Sequence, residues 1–278
     1  MPRYPELAGR VALVTGAGRD AGIGAAIAGR LAAEGCHVVV TDIPSGDGNA
    51  SADTSAAGSA DAVAGSIVDA GGSAIAVNCD VLDESSIDAA FTAADEQYGG
   101  VDILVNNAGI GFLMSPIAET SAENWDRVLG VNLRGAFLAT KHAAKRMIAA
   151  GKGGRIVNIA SQAAKSGFPY AAAYCSSKHG LVGLTRVAAI EFGPHGITVN
   201  AICPNHITTG LGAWQNSFFS DALGMTTEEY MNSMRSRIPL GRPGLTEDIA
   251  KMTAFLCSDE AHYVTGEAVN VSGGEEMH

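Results

Sequence analysis

The sequence predicts an α/β fold in which seven parallel strands form one doubly wound sheet with helices on both faces. Short runs rich in valine and isoleucine alternate with longer segments whose apolar residues recur every three or four positions. The short runs are almost continuously apolar, as expected for parallel strands covered on both sides. The chain has 278 residues, of which 47% are hydrophobic and 17% charged, so it can bury one large core and is not a disordered protein.

Each predicted strand is one of these short apolar runs. In chain order the strands are 11–15 (VALVT), 37–41 (HVVVT), 74–78 (AIAVN), 102–106 (DILVN), 154–160 (GRIVNIA), 197–203 (ITVNAIC) and 267–271 (EAVNV).

The predicted helices lie between the strands, where the apolar spacing is helical. They cover about 22–34, 60–70, 84–97, 121–149, 173–192 and 246–257. In the first helix Ile23, Ile27 and Leu31 stand four apart on one face, and Gly35 is placed to end it. Because strands and helices alternate throughout, we expect a single domain over residues 1–278.

Two segments are longer than ordinary connections. Residues 43–59 are small and polar, and we expect a loop after the second strand. Residues 204–240 carry large apolar side chains, namely Trp214, Phe218, Phe219, Met225, Tyr230 and Met231. Because this excursion leaves the carboxyl end of a strand, we expect a lid over a ligand with an apolar component. An extra helix pair with its own small core is the alternative.

The balance of charges argues against nucleic-acid binding. The chain has 18 Lys and Arg against 29 Asp and Glu, a formal net charge of −11, which repels a phosphate backbone. The amino-terminal segment lacks a signal-peptide pattern, and no apolar run approaches about 18 residues. We therefore expect a cytoplasmic protein without a membrane span.

Cysteine and histidine spacing argues against disulfides and metal sites. The five cysteines are odd in number and form no C-x-x-C pair, which favours reduced thiols of a cytoplasmic protein. They are Cys36, Cys79, Cys175, Cys203 and Cys257. The seven histidines show no ligand spacing, so we expect no bound metal.

A glycine-rich loop follows the first strand and precedes the first helix. It contains Gly16, Gly18, Gly22 and Gly24. Glycines permit a tight turn there and let backbone N–H groups and the helix N-terminus face a pyrophosphate. Glycines also end strands for steric reasons, but the strand before and the helix after favour the pyrophosphate.

Asp42 closes the second strand, 18 residues past Gly24. A carboxylate there can accept hydrogen bonds from the adenosine ribose hydroxyls and would repel a 2′-phosphate. Ile43 follows it, so no arginine is placed to receive that phosphate. These residues favour NAD over NADP, although Arg19 inside the glycine loop favours NADP and a solvated loop aspartate is the alternative for Asp42.

Tyr174 and Lys178 stand four apart on the predicted helix 173–192, which places them on one face. Ser161 ends the strand 154–160, where ligands of open α/β sheets bind. For Tyr174 to act as a base near neutrality, its pKa must fall from about 10 to about 7. A cation about 4 Å away contributes about 4 kcal/mol at an effective dielectric of about 20, so we expect Lys178 to suffice with help from a positive nicotinamide ring. An ordinary surface pair is the alternative.

Several motifs in this order resemble those of the short-chain dehydrogenase/reductase family, in its single-domain branch. They are the glycine loop, Asn106-Asn107-Ala108-Gly109, Ser161, Tyr174-x-x-x-Lys178 and the closing IPLGRPGLTEDIA…FLCSDEAHYVTGEAVNVSGG, together spanning about residues 8–274. The resemblance implies a Rossmann-type fold and hydride transfer between a nicotinamide cofactor and a secondary alcohol or ketone. A homotetramer built on the helices 121–149 and 173–192 is expected by the same resemblance.

The resemblance also implies roles for individual residues. Tyr174 would exchange a proton with the substrate oxygen while Ser161 holds that oxygen. Lys178 would bind the nicotinamide ribose and lower the pKa of Tyr174, and Asn132 would anchor a water relay to the lysine.

The cofactor would contact residues at the ends of several strands. Asp80 and Val81 match the pair beside the adenine ring, and Asn107, Ala108 and Gly109 match the turn at the ribose. The residues that match the segment around the nicotinamide carboxamide are Pro204, Ile207 and Thr209. The remaining cofactor-binding candidates, all in the glycine loop, are Gly16, Gly18, Gly22, Ile23 and Gly24.

The glycine loop departs from the family pattern G-x-x-x-G-x-G. Five residues separate Gly16 from Gly22, and only Gly18 gives the shorter spacing. The loop is therefore about two residues longer, and whether Gly16 or Gly18 takes the first role is open.

The segment after Pro204 carries the second departure. Asn205 stands where the family has glycine. Asparagine tolerates left-handed backbone, and its side chain could reach cofactor or substrate. His206 lies where substrate approaches, with a solvated loop histidine as the alternative. Glu275 and Glu276 in the tail are interpreted as solvated, with a subunit contact as the alternative.

These observations predict an NAD-dependent oxidoreductase that interconverts a secondary alcohol and a ketone with Tyr174 as acid/base. An NADPH-dependent carbonyl or 3-oxoacyl reductase is the alternative in the same class, and a non-catalytic NAD-sensing protein is the alternative from another class. The substrate stays open among sugars, polyols, steroids, cyclic diols and hydroxyacyl groups.

Overall fold

The computed structural model describes residues 2–44 and 59–278, and these form a seven-stranded parallel sheet covered by helices on both faces. The strands are β1 (Val11–Val14), β2 (His37–Asp42), β3 (Ser73–Asn78), β4 (Ile103–Asn106), β5 (Gly154–Ile159), β6 (Ile197–Pro204) and β7 (Ala268–Val271). Each predicted strand agrees with the structure to within one residue at either end. The fold class predicted from the sequence is confirmed.

Helices cover the sheet between successive strands. They are α1 (Ile23–Ala33), α2 (Ala60–Asp69), α3 (Glu84–Tyr98), α4 (Ala122–Leu129), α5 (Ala136–Ala150), α6 (Ala172–Phe192), α7 (Gly210–Leu223), α8 (Thr227–Arg237) and α9 (Thr246–Cys257). The predicted stripe on α1 is confirmed, since Ile27 and Leu31 are fully buried and Ile23 packs against the same cluster. Gly35 follows the end of α1 with φ at +94°, a left-handed backbone that glycine adopts without strain.

The order of the strands determines where a ligand can bind. Across the sheet the order is β3-β2-β1-β4-β5-β6-β7, so the chain winds in opposite directions on the two sides of the β1–β4 pair. In such sheets a crevice opens at the carboxyl ends of the strands where the order reverses. The glycine loop after β1 and the Asn107-Ala108-Gly109 turn after β4 meet at this crevice.

Apolar side chains fill both faces of the sheet. On one face Ile27 of α1 and Ile249 of α9 pack into a shared buried cluster with β1, β2 and β4. On the other face Phe91 of α3 and Met147 of α5 pack with the opposite side chains of the same strands. Because both faces are buried, the strands are held rigidly and the loops at their carboxyl ends have a fixed base.

The predicted helix 121–149 is helical throughout, over residues 122–150, but it is not α-helical along its whole length. Between α4 and α5 lies a π-helical segment, Gly130–Gly135, and Asn132 within it is only 1% exposed. A π-helical turn inserts one extra residue into a helix and is frequent at functional sites. Here the wider turn places Asn132 inside the protein.

The 204–240 excursion contains α7 and α8, which pack against each other through their aromatic side chains. Trp214 stacks on Phe218 with ring centroids 5.2 Å apart, and Phe219 stacks on Tyr230 at 6.2 Å. Trp214 and Phe218 also contact Phe112 and Tyr170 outside the helix pair, so the alternative of a separate small core stays open. The lid stays a prediction. Most of the predicted 43–59 loop lies outside the described residues.

Candidate active site

A cavity of about 610 Å³ lies at the carboxyl ends of the strands around the β1–β4 pair. The glycine loop forms one side of it, the loops after β3, β4 and β5 form its wall, and the segment after β6 with α7 and α8 lies at the other end. Of the predicted site residues, all line this cavity except Gly18 and Asn132. The structure thus brings together side chains that are spread over most of the sequence.

Tyr174 and Lys178 lie on the first turns of α6, facing the end of β5. The Lys178 ammonium is buried and donates a hydrogen bond of 2.8 Å to the carbonyl oxygen of Ile159. It lies 5.8 Å from the centroid of the Tyr174 ring. Ser161 lines the cavity next to Tyr174 and lowers the pKa of the tyrosine hydroxyl. The Ser161 hydroxyl accepts a 3.1 Å bond from the N–H of Ala163, which fixes its orientation.

Asn132 connects the loop after β4 to α6. Its Oδ1 accepts a 2.8 Å bond from the N–H of Ile110, and its Nδ2 donates to the Ile110 carbonyl at 3.0 Å. The same Nδ2 donates to Ser177 Oγ at 3.1 Å. A Cβ on Gly109 would lie 3.4 Å from Asn132 Oδ1 and 3.6 Å from Lys178 Nζ. Asn132 therefore lies beside the lysine although it does not line the cavity.

Burial controls the charges of the tyrosine and the lysine. It lowers the pKa of Lys178 to about 8, because a desolvated ammonium is disfavoured. It raises the pKa of Tyr174 above its ordinary value, against a smaller lowering by the hydrogen bond with Ser161. The expectation that Lys178 and a positive nicotinamide ring together lower the pKa of Tyr174 towards neutrality stays a prediction. Lys178 donates to the Ile159 carbonyl instead of the phenol.

The glycine loop leaves room for a negatively charged group. Gly16 has φ at +64°, and a Cβ there would lie 2.6 Å from Ala108 Cα. A Cβ on Gly24 would lie 2.5 Å from Asn107 Nδ2 and 2.7 Å from the Gly16 carbonyl oxygen. Helix α1 begins at Ile23 beside the cavity, so its partly positive N-terminal end faces the space that a pyrophosphate would occupy.

The question of the first glycine has a structural answer. Gly16 makes the tight turn and lines the cavity, whereas Gly18 points away and its N–H donates a 2.7 Å bond to Asp42 Oδ2. The other carboxylate oxygen of Asp42 accepts a 2.8 Å bond from the N–H of Ile43. Asp42 and Arg19 both line the same end of the cavity. The extra length of the loop thus serves to orient the Asp42 carboxylate.

The remaining predicted residues line the cavity between these two ends. Asn107 donates from Nδ2 to the carbonyl oxygens of Thr15 at 2.9 Å and Gly16 at 2.8 Å, so it ties the turn after β4 to the glycine loop. The others, which come from the ends of β3, β4 and β6, are Asp80, Val81, Ala108, Gly109, Pro204, Ile207 and Thr209. Together these residues fit a dinucleotide laid across the ends of the strands.

Comparisons with known proteins agree with this geometry. A family model described as "Enoyl-(Acyl carrier protein) reductase" matches residues 16–276. A short-chain dehydrogenase/reductase of Armillaria gallica is 42% identical over 266 residues, covering 96% of this chain and 95% of that protein. The chain is a short-chain dehydrogenase/reductase.

Another relative and a solved structure of a similar protein match nearly the whole length of this short-chain dehydrogenase/reductase. Galactitol 2-dehydrogenase of Agrobacterium fabrum is 38% identical, covering 98% of this chain and 99% of that protein. The structure of a variant actinorhodin polyketide ketoreductase with NADPH has a TM-score of 0.87 and 39% identity, covering 97% of this chain and 98% of that one.

Membership of this family indicates the class of reaction that the protein catalyses. The short-chain dehydrogenase/reductase is an oxidoreductase that acts on CH–OH groups with a nicotinamide cofactor, and it interconverts an alcohol and a ketone. These relatives favour a catalytic function over the alternative of a non-catalytic NAD-sensing protein. No helix in residues 2–44 or 59–278 is long and apolar enough to cross a membrane.

The substrate end of this short-chain dehydrogenase/reductase contains residues that sequence reasoning missed. Gln215 and Asn216 of α7 line the cavity, whereas the neighbouring Trp214 and Phe218 pack on other aromatic rings. Trp214 and Phe218 therefore do not line the cavity, although Met231 does, and an apolar component of the ligand stays a prediction. Other unpredicted lining residues are Arg127, Thr208, Leu211 and Met234. The sequence does not indicate which face of α7 is turned towards the cavity.

The tail carboxylates are not solvated, and that interpretation was wrong. Glu275 accepts a 2.9 Å bond from Arg237 Nε and a bond from the side-chain amide of Asn205. Glu276 is 7% exposed and accepts a 2.5 Å bond from the Ser166 hydroxyl. The tail therefore touches both the segment after β6 and the turn that follows Ser161.

Proposed function

We propose that this short-chain dehydrogenase/reductase oxidises a secondary alcohol to a ketone with NAD as the cofactor and Tyr174 as the proton-exchanging group. The observation that carries the proposal is that Tyr174, Ser161 and the buried Lys178 line one cavity together with the glycine loop, with Lys178 held at the end of β5. A bound oxidised nicotinamide supplies the hydride acceptor. The protein supplies the site for the reacting oxygen and the path for its proton.

Ser161 and Tyr174 define where the reacting oxygen binds. The two hydroxyl groups line the same cavity close enough for Ser161 to affect the pKa of Tyr174, so both can reach one substrate oxygen placed between them. In oxidation the alcohol O–H proton passes to the tyrosine oxygen as the hydride leaves the same carbon, and in reduction both steps reverse. The N–H of Ala163 keeps the Ser161 hydroxyl in place during this exchange.

Lys178 acts on the tyrosine through its charge. Its pKa of about 8 leaves it mostly protonated at neutral pH. The ammonium lies on the ring side of Tyr174 and is anchored to the Ile159 carbonyl, so its charge favours the tyrosinate that oxidation needs. Asn132 stabilises the cavity wall around Tyr174 and Lys178 through its hydrogen bonds with Ile110 and Ser177.

Replacing Tyr174 by Phe tests the proposal. General acid–base catalysis contributes about 10²- to 10⁴-fold, so we expect kcat to fall by that factor while NADH binding persists. Phenylalanine keeps the half-buried ring and its packing, and thermal unfolding of the variant separates a loss of chemistry from a loss of folding. Exposed Tyr263, changed to Phe, is the matched control and should leave kcat unchanged. Retained turnover in Tyr174→Phe would refute the proposal.

The choice of NAD rests on Asp42. Its carboxylate lines the cavity and is oriented by the N–H groups of Gly18 and Ile43, so it presents a fixed negative charge near a bound ribose. A 2′-phosphate would be repelled there. Thermal-shift titrations with NADH and NADPH measure the preference, and stronger stabilisation by NADPH would reverse this assignment.

An NADPH-dependent carbonyl reductase is the second candidate, because Arg19 lines the same end of the cavity as Asp42. The actinorhodin polyketide ketoreductase that this chain resembles has NADPH in its structure. Comparing ketone reduction with NADH and NADPH separates the two candidates.

We further propose a single domain over residues 1–278, with α7 and α8 as a lid over the substrate end, and a homotetramer. Large apolar side chains are exposed on α5 and α6, at Phe137 (48%), Val187 (54%) and Ile190 (78%), and this supports assembly through these helices. Light scattering of the purified protein tests the subunit number. The five free cysteines support action in a reducing compartment such as the cytoplasm.

A further inference from the structure

His206 occupies the substrate end of the cavity and offers an unused hydrogen-bonding side chain. It lies two residues after Pro204, in the segment between β6 and α7, and lines the same cavity as Ser161 and Tyr174. Its side chain is 23% exposed. Within the described part of the chain, the imidazole makes no hydrogen bond, and its one charged contact is Glu275 Oε2 at 3.9 Å from Nε2. Its nitrogens are therefore available to a ligand.

The backbone around His206 is held from several directions. The His206 carbonyl accepts a 2.8 Å bond from the N–H of Gly244. The N–H of Asn205 donates to the Val271 carbonyl at 3.3 Å, and its side-chain amide donates to Glu275. Arg237 holds the other oxygen of Glu275 at 2.9 Å. A side chain on such a segment is positioned before substrate arrives, which reduces the entropy lost on binding.

The environment of the imidazole keeps it uncharged. Burial is the main cause that lowers the pKa of His206, and the nearby Arg237 lowers it further, against the opposing carboxylate of Glu275. In the neutral ring one nitrogen donates and the other accepts. An alcohol hydroxyl also donates and accepts, so the two groups match, whereas a carboxylate or phosphate, which only accepts, would be bound more strongly by a charged imidazolium.

We propose that His206 is a specificity-determining residue that hydrogen-bonds a second hydroxyl of the substrate, so that the substrate is a diol or polyol. The proposal rests on the proposed function and extends it to the class of alcohol. Gln215 and Asn216 of α7 line the same cavity and supply further amide groups for additional hydroxyls. Glu275 is a positioning residue that acts through Asn205.

Steady-state kinetics with paired alcohols tests the inference. Butane-2,3-diol and butan-2-ol differ by one hydroxyl, and galactitol and sorbitol extend the series. We compare the wild type with His206→Leu, which removes the hydrogen bond, and with His206→Gln, which keeps a donor and an acceptor. Exposed His262, changed to Leu, is the matched control. Thermal unfolding and NADH binding verify that each variant is folded.

We expect the wild type to prefer hydroxyl-rich substrates. His206→Leu should lower kcat/KM for them by roughly 5- to 100-fold, mainly through KM, because the lost bond holds a group that does not react. Turnover of butan-2-ol should change less than about twofold, and His206→Gln should recover part of the loss.

Three results would overturn the inference. They are equal use of butan-2-ol and the diol by the wild type, an equal loss on both in His206→Leu, and a change confined to the KM for NAD. In each case turnover that depends on Tyr174 would remain, so the proposed function would stand. Absence of turnover with every alcohol and with the matching ketones would refute the proposed function, and the inference with it.

Discussion

Replacing Gly16 by alanine tests the glycine loop most directly, because Gly16 combines left-handed backbone with close packing. Its φ is +64°, and an added Cβ would lie 2.6 Å from Ala108 Cα and 3.0 Å from the Ala108 nitrogen. Ordinary van der Waals contact begins near 3.4 Å, so the Ala108 backbone must move by about 0.8 Å. That backbone belongs to the turn after β4, which lines the cavity.

Two unfavourable contributions to the free energy of folding add in Gly16→Ala. A residue with a Cβ in left-handed conformation costs about 1–2 kcal/mol. Overpacking a close contact costs about 1–3 kcal/mol more. Gly9 is the matched control, because its φ is +78° but nothing lies within 4 Å of an added Cβ. Gly9→Ala therefore carries only the first cost, and the difference between the two variants isolates the second.

Urea unfolding and NADH titration are the assays. We expect Gly16→Ala to lose about 1–3 kcal/mol more unfolding free energy than Gly9→Ala and to bind NADH more weakly, since Ala108 moves into the cofactor space. Gly9→Ala should bind NADH like the wild type. Equal losses in the two variants, with unchanged NADH affinity in both, would refute the assignment of Gly16 as the first glycine of the loop.

Two further predictions concern charge. Asp42→Asn keeps a hydrogen-bond acceptor but removes the negative charge, so we expect the ratio of NADPH to NADH affinity to rise by about 30-fold, equivalent to about 2 kcal/mol; an unchanged ratio would contradict the role of Asp42. For Lys178, the pKa of about 8 lies below its ordinary 10.5. Below pH 8 Lys178 is charged in both the folded and the unfolded state, so folding carries the whole free-energy cost of burying the charge. Between about pH 8 and 10.5 the folded state loses this proton before the unfolded state does, and the cost disappears. The unfolding free energy of the wild type should therefore rise relative to Lys178→Met, by on the order of 3 kcal/mol between pH 7 and 10.5, as measured by urea unfolding. A constant difference would contradict the burial of a charged lysine.

The parts of the fold that were predicted depend on local patterns. Parallel strands buried on both faces are short apolar runs, and each of the seven was located to within one residue. The Tyr174–Lys178 spacing also carries its own geometry, because residues four apart on a helix share a face wherever that helix lies. Gly16 and Gly24 were found for a similar reason, since close packing against backbone demands glycine at those positions.

The parts that were missed depend on distant or subtle contacts. The π-helical segment around Asn132 adds one residue to a helical repeat, a change smaller than the irregularity of the apolar spacing itself. The bond from Asn205 to Glu275 joins residues 70 apart, and the bond from Ser166 to Glu276 joins residues 110 apart. No local pattern distinguishes such carboxylates from solvated ones. The raised pKa of Tyr174 was missed for a related reason, since burial of the phenol depends on the whole surrounding fold.

The cofactor end and the substrate end of the cavity are formed by different kinds of groups, and this difference affects substrate specificity. The cofactor end consists largely of glycines, backbone groups and strand ends, where an added Cβ meets neighbouring backbone within 3 Å at Gly16 and Gly24. The substrate end consists of side chains from the segment after β6, from α7 and from α8, and the aromatic rings of α7 and α8 pack on each other. Substitutions at His206 or Gln215 can therefore alter which alcohol binds without moving the strands that position Tyr174. The same reasoning explains why the cofactor residues were predicted from the sequence, whereas Gln215 and Asn216 of the substrate end were found only in the structure.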